Sequence, residues 1–289
     1  MYYYIVFLDK LILTKNNIKY EKILIIVSIA CAFCAVNAQS LSHWKHQKRL
    51  IESVERTGSA SSLGKNSISF GGSLNKYHND DVLKGNIGGG AWFELNLATY
   101  KSVNRNFGID VSLPIEYNYI SVDGKDVSYN SAHINEGSVN YSRLDIPIQL
   151  KPYFRYAFSK NFIVSPFVFA SAGASINDMD YKYSGTKVYG STECFFMYNF
   201  GAGAEFLIYK GLAITPKFTY TAITGMDDIG NVGYLDGFKR GYEFSVEAAI
   251  QLVREWTFLI EYAYSFNNEC SVLDDINGHT VRAGFRFGF

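Results

Sequence analysis

Two adjacent pairs of carboxylates are the residues of this chain whose spacing could support hydrolytic chemistry. Asp80-Asp81 and Asp227-Asp228 lie in polar segments between apolar ones. Two such pairs that face each other can hold a water molecule and activate it by general base action. Adjacent aspartates are also common in solvated loops, and we adopt that interpretation. The sequence therefore predicts no catalytic residues.

Signals for cofactors and metals are weaker still. The glycine-rich segment 85–90 lacks the Lys and Ser/Thr of a phosphate-binding loop and does not open a helix. His43 and His46 lie one helical turn apart, but no third ligand is near them in the sequence. Cys194 and Cys270 could form a disulfide, although we favour two isolated thiols. We predict no cofactor and no metal.

Charged residues alternate with apolar ones at the end of the chain. Phe285, Phe287 and Phe289 fall on one face of an extended segment, and Arg282 and Arg286 fall on the other. A period of two indicates a β-strand with one apolar side and one charged side. Such a strand suits a protein with lipid outside it and water or packed polar groups inside it.

Ten segments with strand-like patterns follow residue 66. Their approximate spans are 67–77, 86–99, 106–119, 141–156, 161–176, 194–208, 211–224, 241–253, 255–267 and 279–289. The fifth is ambiguous because both of its faces are apolar. Connections between segments alternate between long and short, and the long ones are 78–85, 120–140, 177–193, 225–240 and 268–278. This alternation predicts both chain termini on the periplasmic side and the long loops outside the cell.

The terminal strand and the segment 144–151 resemble those of the porin-like small outer-membrane β-barrel proteins of Gram-negative bacteria. The resemblance implies an all-β fold, a transmembrane antiparallel up-and-down barrel of about ten strands, with eight as the alternative. It also implies that the barrel-assembly machinery recognises the terminal aromatic residues Phe285, Phe287 and Phe289. An aromatic content of 16%, with 22 Tyr and 22 Phe, fits lipid-facing strands and interfacial girdles.

A ten-stranded barrel has a narrow lumen, so inward charges must be paired. The alternation turns eight acids and six bases inward: Glu94, Asp110, Glu116, Asp145, Glu205, Glu243, Glu247, Glu261, Arg143, Lys151, Arg155, Lys217, Arg282 and Arg286. From these we predict a lumen charge network of Arg143, Asp145, Lys151, Glu243, Glu247, Glu261, Arg282 and Arg286. A ring of one sign would favour a selective channel. Mixed signs favour a plugged or narrow barrel.

Ten-stranded outer-membrane barrels include the omptin proteases, which carry acidic couples on outer loops as this chain does. That resemblance requires a histidine beside the aspartate of the fourth loop. The loop histidines here are His78, His133 and His279, and none is at that place. Omptin-like protease activity is therefore the least favoured hypothesis, and the chain is predicted not to be an enzyme.

The N-terminus resembles an export signal. Lys19 and Lys22 precede an apolar run at 23–36, which is too short to span a bilayer as a helix. Small residues before the boundary predict cleavage between Ala38 and Gln39. We therefore expect the mature protein in the cell outer membrane, as a multi-pass barrel exported by a cleaved signal peptide.

Three regions follow from these patterns: a leader and signal peptide at 1–38, a periplasmic helix and linker at 39–66, and the barrel at 67–289. The helix is amphipathic, and the segment 57–64 is a flexible linker by composition. Such a helix could rest on the inner leaflet, enter the barrel or touch a periplasmic partner.

The predicted function is that of a non-enzymatic integral outer-membrane barrel, porin-like or structural. The alternative is a docking component of an envelope or secretion assembly. Expected partners are outer-membrane lipid, the barrel-assembly machinery and, for the docking hypothesis, a periplasmic or surface protein. A formal net charge of zero with no basic stripe argues against nucleic acid.

Overall fold

The computed structural model describes residues 41–56, 59–78, 86–124, 127–129, 132–134, 137–183, 186–209, 211–224, 240–269 and 276–289. By its internal contacts the chain divides into two units, Met1–Trp44 and Lys45–Phe289. The barrel and the segment that enters it belong to the second unit. The predicted cleavage site at Ala38 and Gln39, both aspartate pairs and Cys270 lie outside the described residues.

One helix and thirteen strands are present in the described ranges. In chain order they are α1 (Leu41–Arg56), β1 (Ser67–His78), β2 (Asn86–Lys101), β3 (Phe107–Gly124), β4 (Val127–Tyr129), β5 (Ala132–Ile134), β6 (Gly137–Phe154), β7 (Tyr156–Ser159), β8 (Phe162–Tyr183), β9 (Thr186–Ile208), β10 (Leu212–Thr224), β11 (Arg240–Gln251), β12 (Trp256–Glu269) and β13 (Ile276–Gly288). No described helix is long and apolar enough to cross a membrane.

The strands form a closed antiparallel barrel in which neighbours in sequence are neighbours in the sheet. β1 pairs with β13, from Ser67 opposite Gly288 to His78 opposite Asn277, and this pairing closes the ring. β6 and β7 act as one barrel strand interrupted at Arg155, whereas β4 and β5 form a separate hairpin. The barrel therefore has ten strands in the described part of the chain, and the predicted fold class is confirmed.

Two of the predicted outer loops are largely strand. β8 continues to Tyr183 and β9 begins at Thr186, so the predicted loop 177–193 is a long hairpin. β3 and β6 likewise extend to Gly124 and Gly137 within the predicted loop 120–140. Beyond the bilayer a strand needs no apolar outer face, so the sequence alternation fades while backbone pairing continues. The periodicity therefore marks the lipid-facing part of each strand.

The outer face is apolar over a continuous band. Its exposed side chains include Leu97, Ile148, Val168, Phe244, Ile250, Ile260 and Val281. Phe200, Tyr220, Tyr242 and Phe266 form a row of ring contacts across β9 to β12, with centroids 5.2–5.8 Å apart. Aromatic rows of this kind are typical of the two membrane interfaces of a transmembrane barrel.

We predict that arginine at Ile260 hinders insertion. Ile260 is 43% exposed and lies on β12 between Trp256 and Tyr264. Arginine facing lipid near the bilayer midplane costs about 2–4 kcal/mol. The free energy of unfolding in lipid vesicles, measured by urea titration, should fall by that amount for Ile260→Arg. Val103→Arg, in an exposed turn outside the strands, is the control and should change it little. Equal effects of the two substitutions would contradict a lipid-facing band.

Candidate functional site

The barrel has two unlike ends, which we call the short-turn end and the long-loop end. The connections at the short-turn end are 102–106, 160–161, 209–211 and 252–255. There the lumen is occupied by the chain's own residues 45–56 and 59–66, which we call the plug. From Lys45 onward the helix lies in the lumen. This is one of the three positions that the sequence left open.

An apolar ledge receives the helix. Six inward residues lie at successive paired positions across β7 to β12: Ala157, Ile163, Leu207, Ala213, Ala249 and Leu259. Ile51 and Val54 of α1 pack into this buried cluster and are 1% and 3% exposed. Three of the six ledge residues are alanine, and their small side chains leave room for the helix. Burying the two branched side chains stabilises the plugged state by about 1.5–3 kcal/mol for each.

Gln47 of the helix pairs with an open strand edge. β7 pairs only with β8 among the described strands, because β3 begins at Phe107, opposite Phe154. The Gln47 side chain accepts a hydrogen bond from the Ala157 N–H at 2.8 Å and donates one to the Ala157 carbonyl at 2.9 Å. The amide thereby satisfies both backbone groups of Ala157, which would otherwise be buried without partners.

Two buried wall carboxylates hold the linker that follows the helix. Glu205 accepts hydrogen bonds from the Ser61 hydroxyl, the Ser62 N–H at 2.8 Å and the Ser62 hydroxyl at 3.0 Å. Asp110 accepts one from the Gly64 N–H at 2.9 Å. Both carboxylates are at most 2% exposed. Donors from the plug therefore solvate two charges that would be costly to bury alone.

Two wall guanidiniums hold the same linker through its carbonyl groups. Arg155 donates to the Leu63 carbonyl, and its guanidinium lies 5.1 Å from the centre of the Tyr153 ring. Arg286 donates to the Ala60 carbonyl at 3.4 Å. We call Asp110, Arg155, Glu205 and Arg286 the linker clamp. The two carboxylates of the clamp accept hydrogen bonds from the linker, and the two guanidiniums donate hydrogen bonds to its carbonyl groups.

The linker is not the loose tether that its composition suggests. Ser59, Ala60, Ser61 and Leu63 are all buried. Gly64 has φ +67°, and a Cβ there would lie 2.5 Å from the Tyr153 hydroxyl oxygen, so only glycine fits this turn. The serine and glycine residues supply hydrogen-bond donors and a tight turn. Composition alone does not distinguish such a fixed segment from a flexible one.

Lys65 closes the linker against itself. Its ammonium donates to the Ser59 carbonyl and, at 3.0 Å, to the Ser59 hydroxyl. Burial lowers the pKa of Lys65 to about 8; the carboxylate of Glu205 opposes this shift, and the Arg155 and Arg286 guanidiniums add to it. The lowered pKa therefore reflects mainly the depth at which the Lys65 ammonium is buried.

A second set of charges lies further into the lumen, around Arg282. Its guanidinium contacts Glu116 at 3.1 Å, Glu261 at 3.3 Å and Glu243 at 3.5 Å. Lys217 lies 3.2 Å from Glu261. Five charges from five strands thus form one cluster, in which each buried charge has a partner of opposite sign.

The eight residues of the predicted lumen network all face inward but do not form one cluster. Glu243, Glu261 and Arg282 meet as described above, and Arg286 pairs with Glu247 at 3.1 Å. Arg143 and Asp145 pair with each other at 2.6 Å, and Ser175 donates a hydrogen bond to Asp145. Lys151 lies 3.9 Å from Glu94 and over the Phe167 ring.

The terminal aromatic residues lie outside the lumen. Phe285 and Phe289 are exposed, and Phe287 contacts Trp256 with ring centroids 5.2 Å apart. Cys194 is exposed on β9. Recognition of the tail by the assembly machinery stays a prediction.

The plug residues that contact the wall carry no motif in the sequence. Gln47, Glu55, Ser61 and Ser62 make the contacts with the wall, and none of them belongs to a recognisable motif. One signal was available: alanines recur at inward positions near the short-turn end, where a barrel without a plug would be filled by larger side chains.

The plug separates two cavities. The upper cavity has a volume of about 320 Å³ and is lined by the Arg282 cluster, by Phe167 and Phe169, and by Ser62 and Leu63 of the linker. The lower cavity, at the short-turn end, has a volume of about 650 Å³. Arg286 lines both of them. The linker and Arg286 therefore form the partition of the lumen.

An apolar exterior, a charged interior and ten paired strands define the class: this is a transmembrane β-barrel protein of the outer-membrane type, with its lumen occupied by its own N-terminal segment. No protein-family model matches the chain. No curated protein sequence matches it either.

Several solved structures are similar in architecture. The transport unit of the autotransporter AIDA-I from Escherichia coli is 10% identical, with a TM-score of 0.45, and the match covers 86% of this chain and 99% of that one. The translocator domain of the autotransporter NalP from Neisseria meningitidis is 11% identical, with a TM-score of 0.37 and coverages of 86% and 96%. An outer membrane channel from Pseudomonas putida F1 is 9% identical, with a TM-score of 0.36 and coverages of 79% and 97%. At these values the likeness carries no functional argument.

We predict that Glu205→Ala loosens the plug. The substitution removes the acceptor of the Ser61 and Ser62 hydrogen bonds, and a bond to a charged group is worth about 1.5–3 kcal/mol. Tryptic cleavage at Lys65 in the folded protein should then be faster by about tenfold or more. Glu243→Ala, which removes a lumen carboxylate away from the linker, is the control and should leave the rate near that of the unaltered protein. Equal acceleration in both variants would show that Glu205 has no special role in holding the linker.

Proposed function

We propose that this protein is a non-enzymatic outer-membrane pore of the porin-like kind, held closed from its periplasmic end by the plug. The observation that carries the proposal is the partition of the lumen into two cavities by the linker and Arg286. Short turns lie at the periplasmic face of barrels in this class, so the plug enters from the periplasm.

The nature of the contacts supports a removable plug. α1 and the linker are held by side-chain hydrogen bonds, ion pairs and an apolar ledge, and they contribute no strand to the barrel. The ladders between the wall strands are built without the plug, and the exception is Ala157 of β7, whose backbone groups pair with Gln47. Withdrawal of the plug would join the two cavities into a path lined by charges of both signs, which favours weak ion selectivity.

Docking to a periplasmic partner is the second candidate. Lys45, His46 and Arg49 on α1 are exposed, so the helix offers a polar, basic face while its apolar side is buried. In this alternative the plug anchors the N-terminal segment in the barrel, and the protein serves as its membrane support.

Planar-bilayer conductance separates these candidates. The full-length protein should be silent or open rarely, whereas the double variant Asp110→Ala/Glu205→Ala should show frequent, steady and weakly selective steps, because both linker carboxylates are gone. Glu243→Ala again serves as the control and should remain as quiet as the unaltered protein. If the double variant has lost its plug by the trypsin assay and still does not conduct, the pore proposal is refuted and docking is favoured.

A further inference from the structure

The lower cavity carries an excess of positive charge. The charged side chains that line it are the cations Lys65, Lys101, Arg254 and Arg286 and the carboxylates Glu55 and Glu255. Arg254 and Glu255 are exposed at the rim, so the cavity can be reached from the short-turn end. The upper cavity, in contrast, is lined by near-equal numbers of acids and bases.

At the edge of the lower cavity, three cations converge on one carboxylate of the plug; Glu55 and Lys101 line the cavity, and Arg155 and Arg105 contact Glu55 beside it. Glu55 lies 2.8 Å from Arg155, 3.9 Å from Lys101 and 3.9 Å from Arg105. These cations come from three places in the wall: the break between β6 and β7, the end of β2 and the turn that follows it. The wall therefore builds the cluster, and the plug supplies only the anion.

One carboxylate does not neutralise three cations. The wall carboxylate Asp110, which accepts the Gly64 N–H, also acts electrostatically on Lys101 and Arg155, so two carboxylates face three cations and one positive charge is in excess. Arg155 is fixed by the Leu63 carbonyl and the Tyr153 ring, so its guanidinium is already oriented. Arginine and lysine at such spacing are the usual ligands of carboxylate and phosphate groups.

We propose that the lower cavity binds small solutes that carry two or more carboxylate or phosphate groups, and that Glu55 occupies the position that one of those groups would take. The chain's own carboxylate thus stands in for the ligand in the plugged state. A solute with more negative charge than Glu55 competes for the same three cations and displaces the helix end from the wall. The effect on opening rests on the proposed pore, whereas binding itself does not.

Phosphate chemistry could reach this cavity from a free solute or from a lipid headgroup, and both sources present the same charged oxygens. The cavity lies inside the barrel, with exposed charged residues at its rim and the apolar band on the opposite face of the wall. A headgroup would have to leave the bilayer surface and enter the barrel mouth. The geometry therefore favours a free solute.

Calorimetric titration of the full-length protein in non-ionic detergent with inorganic pyrophosphate tests the proposal. Binding should be measurable in the unaltered protein, and Glu55→Gln should bind about tenfold more tightly because the internal competitor is gone. Glu255→Gln removes the same charge from the same cavity without touching the three cations, and it should change the affinity less than about twofold. Lys101→Ala should weaken binding.

Two results would overturn the proposal: no heat of binding in either the unaltered protein or Glu55→Gln, or equal gains in affinity for Glu55→Gln and Glu255→Gln. Repeating the titration in bilayer discs with and without phosphatidylglycerol assigns the source of the ligand. Loss of pyrophosphate binding only in the anionic discs would identify the headgroup as the natural occupant. A protein that binds pyrophosphate but never conducts would uphold this site and refute the pore.

Discussion

Buried charge on the inner wall is the constraint from which the rest of this lumen follows. Asp110, Arg155, Glu205 and Arg286 are each less than a tenth exposed, and a charge at such a depth must find hydrogen bonds or neutralise. Further into the lumen, the Arg282 cluster solves this problem with ion pairs. At the clamp the wall adds backbone and serine groups of the linker to the ion pairs of Arg155 with Glu55 and of Arg286 with Glu247, so the wall and the plug each depend on the other for solvation.

The same mutual dependence appears in the backbone of β7. A strand that runs past the end of its neighbour leaves N–H and C=O groups without partners, which soluble proteins cover and membrane barrels usually avoid by closure. Here the barrel has a local gap in its ladder beyond Phe107, and the Gln47 amide fills it. The helix is therefore positioned by a polar contact on one side and by the apolar ledge on the other. The polar contact sets where the helix lies, and the ledge supplies much of the stabilisation.

The strand pattern of this chain was predictable because lipid imposes it. Where a strand crosses the bilayer, apolar residues must face lipid and polar residues must face the lumen, which gives the sequence a period of two. On β12, for example, Ile260 faces out and Glu261 faces in. The pattern disappears at 177–183, where polar residues interrupt the alternation although the strand continues to pair with β6 and β9. The apolar inner face of β8 was ambiguous for a different reason: Phe167 and Phe169 pack on Leu63 of the plug, a contact that no local pattern reveals.

The plug was the part that the sequence could not place. An amphipathic helix with Ile51 and Val54 on one side is equally consistent with a membrane surface, a protein partner or a barrel interior. A Ser- and Gly-rich segment has the composition of a flexible tether. It is fixed here because its hydrogen-bond donors meet the carboxylates of Glu205 and Asp110 on the barrel wall. Inward alanines such as Ala213 and Ala249 hint at an occupant, but they become informative only once ten strands are known to share one lumen.

The Ala157 amide reports most directly on whether the plug lies inside the barrel. That N–H faces the open edge of β7, and its hydrogen bond in the structure goes to Gln47 of the plug. Residue-resolved amide hydrogen exchange of the folded protein in detergent should show Ala157 protected and, in Gln47→Ala, exchanging much faster, while the ladder amides of β8 remain unchanged. Rapid exchange at Ala157 in the unaltered protein, or protection that survives Gln47→Ala, would contradict the account.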